Sequence, residues 1–318
     1  MSTNLLFTAS NQTDPYLNLA VEQYLVGHKM SVETPMLYLW KNYRTVVIGR
    51  NQNPFSEVNL EALAADGGHL LRRRTGGGAV YHDDGNLNFS FVVPKSMYDQ
   101  QKQFSVIQRA VESFGLHTEL SGRNDILCEG RKFSGNAFSK GLYNDLHHGT
   151  ILISGDMSEL QKYLRPKPAK LMKHGVASVR SRVVNLAELD PCITTDSISG
   201  RLQEAFGEVY GCNVDTILFK EIEERPEVKR LRDELVSDEW LYGDWQTFNA
   251  QRSGQFDWGG VDVSLSVHDG VITDVRIASD ALDLEAIAQA ADLLRGTSQA
   301  VPPKTDNQVA RDIFSLLF

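Results

Sequence analysis

Apolar residues recur along the chain with two spacings, and each spacing predicts one type of element. Helical spacing marks residues 15–27, 59–68, 102–115, 194–210 and 220–236. Short apolar runs predict buried strands at 36–40, 45–49, 69–73, 79–82, 87–93 and 147–154, with two more within 125–138 around a turn at Glu129–Gly130. Strands and helices are interspersed, so the pattern predicts an α+β fold.

The pattern changes near residue 246. Residues 261–280 alternate apolar and polar side chains on both sides of Asp269–Gly270, which predicts a β-hairpin. Two short helical segments follow, near 284–295 and 306–317. The sequence therefore predicts two domains, residues 1–246 and a small α+β domain at 247–318. A second hairpin is predicted where the turn at 83–86 joins the strands 79–82 and 87–93.

Composition and charge argue against several classes of protein. The net charge is −9 over 318 residues, which argues against nucleic-acid binding through a basic surface. No apolar run reaches the roughly 20 residues that span a bilayer, and the N-terminal segment lacks the basic start of a signal peptide. Three widely spaced cysteines predict neither a disulfide framework nor a zinc site. We therefore expect a cytoplasmic protein that binds neither membrane nor nucleic acid.

A glycine-rich loop is the first candidate for chemistry. Residues 72–86 read RRRTGGGAVYHDDGN, so bare backbone follows a basic run. The segment fits neither a Walker A loop nor a Rossmann fingerprint, because strand residues follow the glycines. Its amide groups could line an anion site, although a glycine-rich bulge without a ligand stays an alternative. Alternation along the strand predicts that Arg73 points away from Arg72 and Arg74.

Two further groups could join such a site. Lys132 follows a turn and precedes small residues, where a lysine could hold an anionic reactant, although a lone lysine is usually solvated. His147 and His148 are adjacent on a predicted strand, so they face opposite sides and do not readily share one metal ion. With no third ligand at a suitable spacing, we assign no metal site held by the protein alone.

An ordered set of segments resembles the lipoate–protein ligase family. The segments are DPYLNLAVE (14–22), TVVIGRNQNP (45–54), RRRTGGGAVYHDDGN (72–86), SGRNDILCEGRKFSGNAF (121–138), LHHGTILI (146–153) and SVRSRVVNL (178–186). The segment FDWGGVDVSLSV (256–267) is similar to the start of the accessory domain of the bacterial two-domain form. The resemblance implies a catalytic domain like that of biotin ligases, with mixed and antiparallel sheets packed by helices, followed by a small accessory domain.

The resemblance also implies a reaction. The family activates lipoate with ATP and Mg²⁺ to lipoyl-AMP. It then transfers the lipoyl group to a lysine of lipoyl domains, in the E2 subunits of 2-oxoacid dehydrogenase complexes or in the glycine cleavage H protein. The expected partners are therefore lipoate and these lipoyl domains.

Matching the motifs residue by residue gives a set of expected site residues. Lys132 corresponds to the catalytic lysine that contacts both lipoate and nucleotide. The nucleotide-binding positions are Arg73, Gly78, Ala79, Val80, Tyr81 and Asn86, and the lipoate-binding positions are Arg73 and Ser134 beside Lys132. Further contacts are expected from Gly76, Gly77, Asp125, His148 and Thr150, with Asp125 also a candidate ligand for the Mg²⁺ carried by ATP.

Three alternatives stay open on the sequence. An octanoyltransferase of the same superfamily would use acyl carrier protein thioesters and a cysteine nucleophile. None of Cys128, Cys192 and Cys212 lies in a recognisable nucleophile setting. A biotin ligase would carry a different arrangement around the glycines. A non-catalytic lipoate-binding homologue is the third alternative, although the complete loop and Lys132 argue against it.

Overall fold

The computed structural model describes residues 4–27, 34–122, 124–165, 183–243, 248, 250–298 and 301–318. The strands are β1 (Leu5–Ala9), β2 (Met36–Trp40), β3 (Thr45–Ile48), β4 (His69–Arg72), β5 (Val80–His82), β6 (Asn86–Pro94), β7 (Thr118–Ser121), β8 (Asp125–Cys128), β9 (Arg131–Lys140), β10 (Asn144–Leu152), β11 (Val214–Thr216), β12 (Ala250–Phe256), β13 (Gly259–His268) and β14 (Val271–Ser279). The helices are α1 (Pro15–Gly27), α2 (Pro54–Glu57), α3 (Leu60–Ala65), α4 (Gln100–Glu112), α5 (Met157–Tyr163), α6 (Leu186–Leu189), α7 (Thr195–Tyr210), α8 (Phe219–Glu223), α9 (Pro226–Leu235), α10 (Asp238–Leu241), α11 (Leu284–Leu294) and α12 (Gln308–Phe314).

A mixed eight-stranded sheet forms the centre of the first domain. Its order is β11-β1-β2-β6-β10-β9-β8-β7. The pairs β11–β1 and β1–β2 are parallel, and the remaining pairs are antiparallel. Strand β6 is buried at every residue, because helices cover both faces of the sheet. One core packs against α4 and α7, and a second packs against α1 and the helices α8 and α9.

A smaller sheet, ordered β4-β3-β5, carries the glycine loop between two of its strands. Strand β3 pairs with β4 in parallel and with β5 antiparallel. The predicted hairpin between 79–82 and 87–93 is wrong, since β5 and β6 lie in different sheets. The turn between them packs against the segment after β10, where a Cβ on Gly85 would lie 2.3 Å from the Ser154 carbonyl carbon. The chain therefore changes sheets at this turn.

The predicted helices are present with shifted ends. The predicted helix 220–236 is two helices, α8 and α9, because Pro226 begins the second one. Helix α7 begins behind Thr194, whose side chain and that of Ser197 form a reciprocal capping box. The predicted turn at Glu129–Gly130 joins β8 to β9, with φ of 50° and 72° at the two residues. This turn is a local feature, which explains why the sequence predicts it.

Residues 250–318 form their own sheet and core. Strands β12, β13 and β14 are antiparallel in that order, and helices α11 and α12 bury the apolar face of the sheet. The predicted hairpin turns at Asp269 and Gly270, with φ of 49° and 75°. The α+β class with a small C-terminal domain is confirmed, while the predicted boundary at 246 lies outside the described residues. No helix in the described part of the chain has the length and apolarity to span a membrane.

Candidate active site

Three consecutive arginines have three different environments. The Arg72 guanidinium donates to the carbonyls of Gly49 at 3.3 Å, Arg50 at 2.9 Å and Gln52 at 2.7 Å. It also donates to the carbonyl of Leu241 at 2.7 Å, so it ties the turn after β3 to helix α10. A separate cavity of about 430 Å³ lies beside Arg72. Its lining includes Arg50, Arg72, Trp240 and Arg276.

Arg74 is exposed, and its guanidinium carbon lies 4.8 Å from the centre of the Trp240 ring. Its Nη2 donates to Glu234 Oε1 at 2.6 Å. Arg72 and Arg73 are buried, but their guanidinium groups bind separate parts of the chain. The prediction that Arg73 points away from Arg72 and Arg74 is therefore consistent with these contacts.

Arg73 holds the glycine loop from inside. Its Nη2 donates to the carbonyls of Gly76 at 2.7 Å and Gly78 at 2.8 Å, and its Nε donates to Thr75 Oγ1 at 3.1 Å. Its Nη1 donates to the Val47 carbonyl on β3 at 3.3 Å. Burial lowers the pKa of Arg73 to about 10, so the side chain keeps its charge at neutral pH. The loop therefore has a fixed shape with a buried positive charge behind it.

The three glycines of the loop have different surroundings. A Cβ on Gly76 would lie 2.2 Å from the Ala281 carbonyl oxygen, so Gly76 permits contact with the C-terminal domain. Gly77 has φ of +94°, and a Cβ there would lie 2.8 Å from Arg73 Nη2. Beyond its two chain neighbours, Gly78 has no atom of the described residues within 4 Å of its Cβ position. Packing therefore does not require glycine at 78, and the open space beside it is available to a ligand.

Lys132 projects from β9 beside this loop. Its Nζ lies 2.7 Å from Asp125 Oδ1 across the β8–β9 hairpin, with about a third of each side chain exposed (34% and 36%). Gly135 makes room for the lysine, since a Cβ there would lie 3.0 Å from Nζ. An ion pair that is exposed to this extent contributes little net stability, about 1 kcal/mol or less. An incoming anion can therefore bind Lys132 together with Asp125, or in place of Asp125, at a small cost in free energy.

The two histidines of β10 point to opposite sides, as strand alternation predicts. His147 is buried among aromatic rings, 4.7 Å from the ring centre of Phe138 and 4.9 Å from that of Phe104, and burial holds its pKa well below the usual range. His148 faces the glycine loop, where its Nε2 lies 2.8 Å from Thr75 Oγ1. His147 thus belongs to the core and His148 to the site.

One cavity of about 190 Å³ gathers most of the predicted residues. Those lining it are Arg73, Gly77, Gly78, Ala79, Val80, Lys132, His148 and Thr150. Sequence reasoning missed a further set that lines it: Leu19, Trp40, Val47, His82, Asn88, Asn124, Gly135, Asn136, Ala137 and Gly149. The cavity therefore joins a cationic, amide-rich wall to an apolar one, as a ligand with an anionic group and an aliphatic chain would require.

Four predicted residues lie behind the wall. The side chain of Tyr81 packs against Tyr163, with 5.3 Å between ring centres, because strand alternation turns Val80 and His82 to the cavity instead. Ser134 is fully buried and accepts from Asn136 Nδ2 at 3.3 Å. Gly76 contacts the C-terminal domain, as described above.

Asn86 is also buried, and its side-chain amide contacts that of Asn88. Its Nδ2 donates to Asn88 Oδ1 at 3.1 Å, and Asn88 Nδ2 is buried with no hydrogen-bond partner among the described residues. His82 Nδ1 lies 3.2 Å from Asn42 Nδ2, and burial lowers the His82 pKa to about 3. The neutral ring accepts at Nδ1, so His82 Nε2 is a second buried donor, and it too has no partner in the described part of the chain. Buried donors of this kind usually have a partner, so a ligand acceptor is expected near them.

The cysteines do not enter the cavity wall. Cys128 is fully buried in the core beside α4, and burial raises the pKa of its thiol to about 11. Cys192 is exposed and Cys212 partly exposed, and the described residues hold all three as free thiols. A thiolate nucleophile needs a lowered pKa and access to substrate, and Cys128 has neither.

No group of three His, Cys, Asp or Glu side chains suited to a metal ion occurs within the part of the chain that the structure describes. Asp125 is the carboxylate beside Lys132. Mg²⁺ is commonly held by one or two carboxylates together with substrate phosphates. Asp125 alone therefore fits a Mg²⁺ that arrives with a nucleotide, rather than a site built by the protein.

Comparison with solved structures places the fold in the class of lipoate ligases. The chain matches P. falciparum LipL1 in complex with lipoate at a TM-score of 0.84, with 29% identity and 98% of both chains covered. A lipoate-protein ligase A bound with ATP matches at 0.65, with 26% identity over 76% of this chain and 99% of the other. A bipartite ligase described with its E2 lipoyl domain, from Thermoplasma acidophilum, matches at 0.66, with 26% identity over 79% and 100% of the chains.

Sequence comparison gives the family. The profile of the lipoyl protein ligase A/B catalytic domain matches residues 14–207, and that of the bacterial lipoate protein ligase C-terminus matches 246–300. Lipoate-protein ligase A of Bdellovibrio bacteriovorus is 40% identical over 293 residues, covering 90% of this chain and 86% of the relative. That of Psychrobacter cryohalolentis is 39% identical over 282 residues, covering 86% and 83%. The chain belongs to the lipoate–protein ligase family.

Proposed function

We propose that this enzyme ligates lipoate to a lysine of lipoyl domains with ATP, through a lipoyl-AMP intermediate. The observation that carries the proposal is the single cavity in which Lys132, the open backbone at Gly78 and an apolar wall meet. The ATP-bound and lipoate-bound relatives support both ligands in a site of this fold. The expected protein acceptors are E2 lipoyl domains, supported by the Thermoplasma pairing, and the glycine cleavage H protein.

The first half-reaction joins two anions. A lipoate carboxylate oxygen attacks the α-phosphorus of ATP, the bond to the β-phosphate oxygen breaks, and pyrophosphate leaves. Lys132 would lie between the carboxylate and the α-phosphate and offset the negative charge of both. The amide groups from Gly77 to Val80 would donate to phosphate oxygens without side chains in the way. Fixed donors aimed at developing charge typically provide the largest single catalytic contribution.

The second half-reaction breaks the mixed anhydride. The acceptor lysine amine attacks the acyl carbon, and AMP leaves with the bonding electrons. The apolar part of the cavity, formed by Leu19, Trp40, Val47 and Ala137, would enclose the aliphatic chain and keep water from the anhydride. In the first half-reaction, Mg²⁺ bound to ATP would offset the negative charge of the triphosphate, and Asp125 would be the protein contact of the Mg²⁺.

The assay that tests this proposal is exchange of labelled pyrophosphate into ATP, with lipoate, octanoate or biotin supplied in turn. Exchange that depends on lipoate and Mg²⁺ supports the ligase. Exchange with biotin alone would indicate a biotin ligase. Binding of lipoate without exchange would indicate a non-catalytic homologue.

The cysteines allow a test against the thioester transferase. Replacing Cys128, Cys192 and Cys212 together with alanine should leave ATP-dependent lipoylation within about tenfold of wild type, since a small buried side chain rarely costs more than about 1–2 kcal/mol. Intact-mass measurement after incubation with lipoate, ATP and Mg²⁺ should find no acyl group on a cysteine. An acyl-cysteine adduct, with loss of transfer in Cys128→Ala, would indicate an octanoyltransferase instead.

We further propose that the chain divides near residue 246 and that the second domain acts in the cycle. The Gly77 amide donates to the Ala281 carbonyl at 3.0 Å, and the Ser279 amide donates to the Asn51 carbonyl at 3.1 Å. The C-terminal domain therefore occupies one amide of the phosphate loop. A nucleotide that needs this amide would favour a different position of the domain.

Gly76→Ala tests this coupling. The added Cβ would lie 2.2 Å from the Ala281 carbonyl oxygen, so the glycine loop and the C-terminal domain must move apart. We expect the two half-reactions to change unequally, by factors that differ about tenfold, or about 1.4 kcal/mol. Pyrophosphate exchange reports the first, and transfer from synthetic lipoyl-AMP to a lipoyl domain reports the second. Equal changes in both rates would show that the contact does not distinguish the half-reactions.

A further inference from the structure

A line of buried hydrogen bonds connects the glycine loop to a carboxylate beneath it. Arg73 Nε donates to Thr75 Oγ1 at 3.1 Å, and Thr75 Oγ1 lies 2.8 Å from His148 Nε2. His148 Nδ1 lies 2.8 Å from Glu22 Oε2. All four side chains are buried, and Glu22 on helix α1 is only 2% exposed. The loop residue Thr75 is thus linked to a helix of the second core.

The same carboxylate oxygen is reached from the apolar end of the cavity. Ser90 Oγ donates to Glu22 Oε2 at 2.5 Å, and Trp40 Nε1 donates to Ser90 Oγ at 3.0 Å. Trp40 lines the cavity among its apolar residues. Glu22 therefore lies where two branches meet, one from the phosphate loop and one from the acyl pocket.

With His148 neutral, the donors along both branches form one consistent arrangement. The Thr75 hydroxyl accepts from Arg73, so its own proton is free to go to His148 Nε2, and a neutral His148 then carries its proton on Nδ1. Nδ1 donates to Glu22, and so does Ser90. An ionised carboxylate suits this position because it only accepts. It is also the negative charge that opposes the effect of burial on the pKa of Arg73.

We propose that Glu22 is a positioning residue that fixes the glycine loop through His148 and Thr75, and the acyl pocket through Ser90 and Trp40. It acts through these side chains, since Glu22 itself does not line the cavity. Burial of both Glu22 and Arg73 keeps the network from exchanging its partners with water. The assignment of one branch to nucleotide binding and the other to acyl binding rests on the proposed function.

The test is a double-mutant cycle in nucleotide affinity. Glu22→Gln keeps the size of the side chain and removes its charge, and Thr75→Val removes the hydroxyl from the loop. Each should weaken ATP binding by about tenfold, and the double variant should be no weaker than about tenfold, because both cut the same branch. Thr75→Ser should restore wild-type affinity. Titration calorimetry measures the affinities, and thermal melting checks that each variant folds.

Two further variants sharpen the test. Glu208→Gln, at an exposed pair with Arg109, is the matched control and should leave ATP affinity unchanged. Ser90→Ala cuts only the second branch, so it should raise the KM for lipoate while ATP affinity stays within about twofold of wild type. If the effects of Glu22→Gln and Thr75→Val multiply, or if folded Glu22→Gln binds ATP normally, the inference is overturned.

Failure of the proposed function gives a different result. If the proposed function is wrong, the wild-type protein will show no lipoate-dependent pyrophosphate exchange, whatever the double-mutant cycle in ATP affinity shows. Failure of the positioning role appears in calorimetry, which needs no turnover. A single Glu22 variant that loses stability but keeps ATP affinity would leave Glu22 a structural residue only and would contradict the proposal.

Discussion

Lys132→Met is expected to reduce lipoate-dependent pyrophosphate exchange by about a hundredfold or more, the typical loss when one fixed donor to a transition state is removed. Methionine keeps the length and the apolar stem, so the expected loss comes from the charge. Stability should change little, because Lys132 and its partner Asp125 are each about a third exposed, where an ion pair contributes little. Exchange measured beside thermal melting gives both quantities.

Lys140→Met is the matched control for this variant. Lys140 lies at the end of the same strand, β9, and is exposed. It should leave exchange within about twofold of wild type, as a surface substitution far from the site usually does. A folded Lys132→Met that retains more than about a tenth of wild-type exchange would contradict an electrostatic role of about 3 kcal/mol.

Gly78→Val is expected to weaken ATP binding by at least about tenfold, or about 1.4 kcal/mol, while the melting temperature stays near that of wild type. In the part of the chain that the structure describes, no atom beyond the two neighbouring residues lies within 4 Å of the Cβ position, so we expect the isopropyl group to meet open space without nucleotide and phosphate in the complex. Gly77→Val would not separate these effects, since φ at Gly77 is +94° and Arg73 lies against its Cβ position. Calorimetric titration with ATP provides the measurement.

Gly200→Val is the control for the glycine loop. Its Cβ position also meets no described atom within 4 Å apart from its chain neighbours and the backbone of its own helix, and it lies on helix α7 away from the cavity. Its ATP affinity should match wild type, even where the branched side chain lowers stability slightly. Unchanged affinity in Gly78→Val would mean that the loop is a bulge without a phosphate role.

The sequence predicted the parts of the site that depend on local pattern. Alternation along β10 separates His147 from His148, and the ordered motifs brought Arg73 and Lys132 into one site with the glycines. Alternation also accounts for Tyr81, which was expected at the nucleotide but whose side chain turns to the core because Val80 and His82 face the cavity.

Other parts depend on contacts between distant segments, which a periodic pattern does not encode. Glu22 on α1 reads as one polar residue on a helix, yet it meets a histidine from β10 beneath the loop. Gly76 is required by Ala281 of the second domain. The predicted hairpin at 83–86 failed for the same reason, because β5 finds its partner in β3 instead of in the next strand.

The most direct test of the proposed reaction is the intact mass of an apo lipoyl domain after incubation with this enzyme and lipoate, with or without ATP and Mg²⁺. We expect one lipoyl group on the acceptor lysine when ATP is present and none without it, and a lipoyl-AMP species in the enzyme fraction when the acceptor is left out. Lipoylation without ATP, or acyl transfer only from an acyl carrier protein thioester, would contradict the ligase mechanism.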